Sequence, residues 1–162
     1  MLDQHVWVFF YGLYMDFDIL RERGLRVQQW EVAKLDGYEF CIGSWGYLKQ
    51  SDSQSVYGVA VYATRKEVSD LYSRATNTLP LDYFPEPVLL ESAAGRLRKA
   101  LCYIAINEPD TNTVNLDYFN GMVKLAQHFQ FPDWYVKRLQ SLGPSIQEKP
   151  NSHRRTVDTC IN

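Results

Sequence analysis

Eleven tyrosines, three histidines and three cysteines are the side chains of this 162-residue chain most able to move protons or form bonds, so their spacing comes first. His5, His128 and His153 are scattered, and their spacing writes no triad of nucleophile, base and orienting carboxylate. Cys41, Cys102 and Cys160 form neither an even disulfide set nor the paired spacing of a zinc site. No Gly-rich phosphate loop, metal spacing or dinucleotide fingerprint occurs, and no cofactor is implied. The tyrosines remain. A phenol of ordinary pKa, about 10, is a poor base at neutral pH. Tyr14 can nonetheless donate a hydrogen bond, with packing as its plainer role.

The elements that must position these groups follow from pattern. Residues 5–11 are β-branched and aromatic and stop at Gly12, which predicts a buried central strand running into a tight loop. Phe17, Ile19 and Leu20 alternate with charges between Asp16 and Gly24, a short helix with an N-cap and a stop. Residues 27–42 read as sheet, with Asp36-Gly37 as a turn or bulge between two extended pieces. The polar run 50–55 predicts a surface loop, and 56–62 a second apolar strand. Thr64 and Glu67 have the spacing of a capping box, opening a helix over 64–75 that places Val68, Leu71 and Tyr72 on one face.

Three prolines in 77–87 end that helix, and 88–92 with 99–105 predict a hairpin turning near Gly95. After a loop over 107–115, Leu116, Phe119, Val123, Ala126 and Phe129 share a helical face, and a last helix over 132–142 stops at Gly143-Pro144. Strands and helices mix without regular βαβ alternation. The expected class is therefore α+β, a small mixed, curved or barrel-like sheet with helices packed around it. One domain over 1–144 and a polar, flexible tail over 145–162 are expected.

The totals limit the partners. A net charge of -2, from 17 basic and 19 acidic residues, offers little attraction to a phosphate backbone, so nucleic acid is not an expected partner. The basic clusters at Arg21, Arg23 and Arg26, at Arg96, Arg98 and Lys99, and at His153, Arg154 and Arg155 are short and read as solvated surface. The apolar run Val6 to Tyr14 is too short to span a membrane and lacks a basic lead-in or cleavage site. With unpaired cysteines, a reducing, cytoplasmic location is the expectation.

From Tyr11-Gly12 onward the chain resembles the γ-glutamylcyclotransferase family, whose opening strand runs into a Tyr-Gly-Ser loop that holds the substrate. The resemblance continues in order through Ala33-Lys34-Leu35, Val56-Tyr57-Gly58-Val59, a helix ending near Ala75, Tyr83, Tyr103, and a closing helix pair from Tyr118 to Pro144. It covers residues 5 to 144. It implies a cyclotransferase-like fold and a small-molecule amide or amine ligand, with Tyr11, Gly12, Leu13, Tyr14, Tyr83, Tyr103 and Tyr118 lining the pocket. In the family, the substrate's own amine attacks its γ-carbonyl, a carboxylate moves the proton, and loop N–H groups hold the substrate.

Two departures matter. The loop continues Leu13-Tyr14-Met15 where the family carries smaller, more polar residues, and Ala75 stands at the position of the family's catalytic Glu. Alanine has no titratable group. Glu67 lies eight residues before Ala75, about 12 Å along a helix, and is a capping residue rather than a substitute. Glu86, with Asp82 beside it, is the first candidate replacement, and Glu86 and Tyr14 are the candidate catalytic groups. The resemblance thus implies modified acyl-transfer or cyclisation chemistry. The other reading of the same residues is a catalytically silent metabolite-binding or protein-interaction module.

Overall fold

A computed structural model describes residues 3–78 and 82–144; the tail expected over 145–162, and Cys160 within it, lie outside the described residues. The chain runs β1 (His5–Phe10), a single 3-10 turn (Gly12–Met15), α1 (Phe17–Glu22), β2 (Gln29–Ile42), β3 (Gly46–Thr64), α2 (Arg65–Thr78), β4 (Tyr83–Ser92), β5 (Leu97–Ala105), α3 (Leu116–His128) and α4 (Asp133–Ser141). The strands close into a barrel in the order β1, β3, β2, β4, β5. Antiparallel pairing gives way once, where β1 meets β5 in parallel through Val8, Leu101, Phe9 and Cys102. This is the small mixed α+β barrel expected from the sequence.

A five-stranded barrel has a narrow interior, and the strands supply small residues where it is tightest. Paired residues share a sheet face. Phe9 lies opposite Ala60 and Cys102, and Ala33 lies opposite Gly58 and Ser92. A side chain at Gly58 would strike the Phe9 ring, so the glycine is the space the phenyl fills. One end of the barrel is closed by Arg98, whose guanidinium lies 3.9 Å from the Trp7 ring centroid and pairs with Glu31. Toward the other end, Tyr11 donates its hydroxyl to the Tyr103 carbonyl at 2.7 Å.

Helices bury the apolar outer face. Val68, Leu71 and Tyr72 of α2 join Val8, Phe10 and Val61 in one core, and Tyr135 and Leu139 of α4 join it beside β3. The capping box forms as the spacing predicts: the Glu67 N–H donates to Thr64 Oγ1 at 3.1 Å, and the Thr64 N–H donates to Glu67 Oε2 at 2.9 Å. Asp16 caps α1 by accepting from the Asp18 N–H at 2.9 Å. Among the described residues, no helix is long and apolar enough to cross a membrane.

Two expectations need correction. Residues 50–55 are not a loop but part of β3, and the chain reverses instead at 43–45. Their polarity marks an exposed arm of a long hairpin, pinned by bonds from Arg138 to Gln54 and from Ser55 to Asp36. Gly37, at φ +87°, sits where the register shifts, and the extra residues of the irregularity, 51–54, lie opposite it on β3. Helix α2 runs to Thr78, three residues further than expected, and Pro85 and Pro87 lie inside β4. They are tolerated because β2 pairs with β4 only near Ser92, leaving that stretch an open edge.

The capping box is a direct test of how α2 is anchored. Thr64→Ala is expected to lower stability by about 1 kcal/mol, read as a lower urea midpoint with an unchanged slope. An unchanged midpoint would show that the box contributes nothing.

Candidate functional site

The end of β1 builds the site. Gly12 takes φ +62°, a conformation that turns the backbone sharply into the 3-10 turn and that a β-carbon would strain. A methyl at Gly12 would also collide with the Tyr118 hydroxyl, and one at Gly46 would fall 2.6 Å from the same oxygen. The hydroxyl of α3 is therefore seated between two glycines, one from the β1 loop and one from the start of β3. It accepts the Leu13 N–H at a long 3.4 Å. This is one of the loop amides that the resemblance assigns to the substrate, and here a protein hydroxyl already stands before it.

Beside this contact lies a cavity of about 200 Å³, smaller than the usual 300–1,000 Å³ of a drug-sized ligand site. Tyr11, Leu13, Tyr14, Tyr83 and Tyr118 line it, as do Tyr72, Trp45, Ile19, Gly46 and Arg23. Of the residues expected at the pocket, five are thus brought to one wall-to-wall cavity. Gly12 shapes it from behind. Tyr103 stands one layer back, stacked on Tyr72 with ring centroids 4.0 Å apart and planes 3° from parallel.

Tyr72 is the hub of this aromatic wall, with Tyr14 edge-on at 5.7 Å and Tyr83 at 5.3 Å. Sequence reading placed it only on a buried helix face, since period alone does not tell a core tyrosine from a pocket one. Trp45 and Gly46 were missed because the chain reversal was placed too late. Arg23 was read as part of a solvated basic cluster, yet its guanidinium carbon lies 5.7 Å from the Tyr14 ring centroid, at the cavity.

The carboxylates stand elsewhere. Glu86 is exposed on β4, opposite Cys102, and does not line the cavity. Glu86 points to the opposite face of the strand from Tyr83 and shares the face of its partner Cys102. Asp82 is exposed, and Glu67 is held by Thr64 at the far end of α2 from Ala75. Ala75 falls inside α2, one turn beyond Tyr72, rather than at its end. Of the ten residues lining the cavity, only Arg23 carries a formal charge.

Burial controls the phenols. It pushes Tyr11 and Tyr72 well above the ordinary value and Tyr83 up to about 12. Burial raises Tyr118 too, with the Leu13 and Gly46 backbone amides pulling the other way. Tyr14 is raised by burial and lowered by Arg23. Its hydroxyl oxygen is buried and finds no hydrogen-bond partner among the described residues. None of these groups is a base at neutral pH. They are protonated donors facing a largely apolar space. Groups of three or more possible metal ligands are absent among the described residues.

No family model and no curated protein matches the chain. Among solved structures, a γ-glutamyl cyclotransferase superposes with TM-score 0.73 at 17% identity, covering 96% of this chain and 94% of that one. An uncharacterized human protein, loc79017, superposes with TM-score 0.70 at 16% identity over 95% and 94%. YkqA from Bacillus subtilis does so with TM-score 0.72 at 21% identity over 86% of this chain and 54% of that one. The chain has the γ-glutamyl cyclotransferase-like fold. Identity this low establishes the fold alone, and function must be argued from the site.

Two measurements test this geometry. Gly12→Ala is expected to destabilise by about 1–3 kcal/mol, and Gly12→Ala with Tyr118→Phe by less than the sum of the single changes, because the collision partner is gone. Full additivity would mean that the two residues do not meet. For pH, a raised folded-state pKa keeps the proton that the unfolded chain releases from about pH 10 upward. Stability is then fully present below pH 10 and falls as pH rises through the folded values, Tyr83 near 12 among them. Tyrosinate absorbance should accordingly lag until circular dichroism reports unfolding; complete titration of all eleven tyrosines in a folded chain would contradict it.

Proposed function

We propose that this protein binds a small amino-acid-derived amide or amine in the tyrosine-lined cavity, and that it lacks the base of the usual cyclotransferase step. The observation that carries the reading is the cavity itself. It lies at the loop where the resemblance puts the substrate, it is lined by five of the residues expected there, and its lining holds no carboxylate among the described residues. A positioned general base contributes about 10²–10⁴-fold to such a reaction. Without one, acyl transfer or cyclisation runs only as far as orientation by the loop and the phenol donors carries it, with the substrate's own amine shedding its proton to water.

The second reading, a catalytically silent module that senses a metabolite, is favoured by the same missing carboxylate and by the Tyr118 hydroxyl that already meets the Leu13 amide. The two readings differ in turnover and agree on ligand binding. Mass-spectrometric assay of a panel of γ-glutamyl amines and peptides separates them, comparing the natural protein with Ala75→Glu. Release of 5-oxoproline is expected to be at least about 10²-fold faster in Ala75→Glu than in the natural protein. Equal, rapid release by the natural protein would overturn the claim of a missing base, and failure of every panel member to bind either protein would overturn the ligand class.

A further inference from the structure

We infer that the β4–β5 hairpin is a flap that opens from the barrel as one unit, and that Arg98 is the clasp that holds it shut.

Two seams of the barrel are short. β5 meets β1 through Val8 with Leu101 and Phe9 with Cys102, and β4 meets β2 through Ala33 with Ser92 and Lys34 with Glu91. The first seam is parallel, the less stable pairing per residue. By contrast, β2 and β3 pair from Gln29 with Tyr62 to Ile42 with Gly46, and β1 and β3 from His5 with Thr64 to Phe10 with Val59. The hairpin is thus joined to the sheet by a short ladder on each side. Its own two strands pair without interruption from Tyr83 with Ala105 to Glu91 with Leu97. Its turn is also self-contained: the Arg96 N–H donates to Ser92 Oγ at 3.1 Å, and the Ser92 N–H donates to the Arg96 carbonyl at 2.8 Å. These internal bonds survive when the hairpin lifts. Of its apolar side chains Leu90, Ala100 and Cys102 are buried, while Phe84, Leu89 and Leu97 are exposed. A unit with short ladders and few buried apolar contacts opens at a lower free energy than the whole chain unfolds.

Arg98 opposes that opening. It stands on β5 near the turn, and its guanidinium engages both flanking strands, lying 3.9 Å from the Trp7 ring centroid on β1 and pairing with Glu31 on β2. The two charged side chains are 25% and 22% exposed, against 71% and 74% for Arg21 and Asp18, so solvent screens this pair less than an ordinary surface one. Lys34 and Glu91, 3.3 Å apart and more exposed, are a weaker second fastening of the β2 seam. The end of the hairpin nearer the cavity is held differently, by the Tyr103 ring stacked on Tyr72 and by the Tyr103 carbonyl that accepts the Tyr11 hydroxyl. Because the hairpin also brings Tyr83 to the lining, the cavity is whole only while the flap is seated.

The test is hydrogen exchange of the full chain read by mass spectrometry, comparing the hairpin, 83–105, with residues 56–62 of β3. In the natural protein the hairpin amides are expected to open at least about 10-fold more often than those of β3. Arg98→Met should speed hairpin exchange about 10- to 100-fold and that of 56–62 by less than about 3-fold. Glu31→Gln, which leaves the guanidinium on Trp7, should give the same pattern at smaller size, and it serves where Arg98→Met does not fold. The Cys102 thiol, buried on the inner face of the hairpin, is an independent reporter. With Cys41→Ser and Cys160→Ser as background, its rate of alkylation should rise in Arg98→Met in the same proportion as hairpin exchange.

Equal opening of the hairpin and 56–62 in the natural protein would overturn the flap, since the chain would then open as a whole. Hairpin exchange that neither substitution changes would overturn the role of Arg98, and so would a loss of protection spread evenly over both segments. A Cys102 thiol that reacts no faster in the variants, while hairpin exchange rises, would show that the hairpin frays without leaving the barrel and would overturn opening as one unit.

Discussion

The site depends on one close approach, the Tyr118 hydroxyl set against the backbone of Gly12 and Gly46. Three parts of the chain meet there: the turn that ends β1, the start of β3 and the first helical turn of α3. Each constrains the others. Gly12 holds a positive φ that redirects the loop, the bare Cα of Gly46 lets Phe40 and Tyr118 approach, and Asn115 caps α3 by accepting the Tyr118 N–H at 3.1 Å, fixing where the phenol enters. If any of the three moved, the cavity beside it would change shape. A buried phenol also has to satisfy its oxygen, and Leu13 supplies an N–H at a distance long enough to make that bond weak.

Around that anchor the cavity is aromatic in a specific way. The Tyr72 ring is sandwiched in a network that reaches Tyr103 on one side and Tyr14 and Tyr83 on the others, so the wall is made of side chains with few rotamers and little room to yield. Such a wall holds its shape before any ligand arrives, which lowers the ordering cost of binding. It does not supply proton chemistry, because burial drives every one of its phenols toward the neutral form. Rigidity and donor capacity are present, and basicity is not.

Much of this was legible in the sequence where a local rule acts alone. The Thr64 and Glu67 pair, the Asp16 cap, the irregularity at Gly37 and the Gly95 turn are all fixed by residues a few positions apart, and all form. The features that were misread depend on distant partners. Residues 50–55 extend as a strand because Arg138 and Asp36 hold them, and neither is visible from the polar run itself. Pro85 is accepted in β4 because another strand is missing from its side, a fact of topology. Glu86 lies close to Tyr83 in sequence, but it pairs with Cys102 further along the hairpin and is exposed there, a position that only the strand pairing reveals. Arg23 was dismissed for its charged neighbours, although Tyr14, nine residues earlier and folded back against it, meets it at the cavity.

The sign of charge is the deepest departure of this site from the chemistry its fold suggests. A cyclotransferase reaction asks for a negative group that removes a proton from an ammonium, and a carboxylate there both attracts the amine and serves as its base. Here the described lining carries one positive group and no negative one. Placing a guanidinium near an amine raises the energy of the ammonium and so eases its deprotonation, but it provides no acceptor for the proton that leaves. It also favours negatively charged oxygen, whether that of a bound carboxylate or that which builds up on a carbonyl under attack. Groups arranged in this way donate to an accepting oxygen and take up no proton at neutral pH, so the described lining supplies orientation without a base.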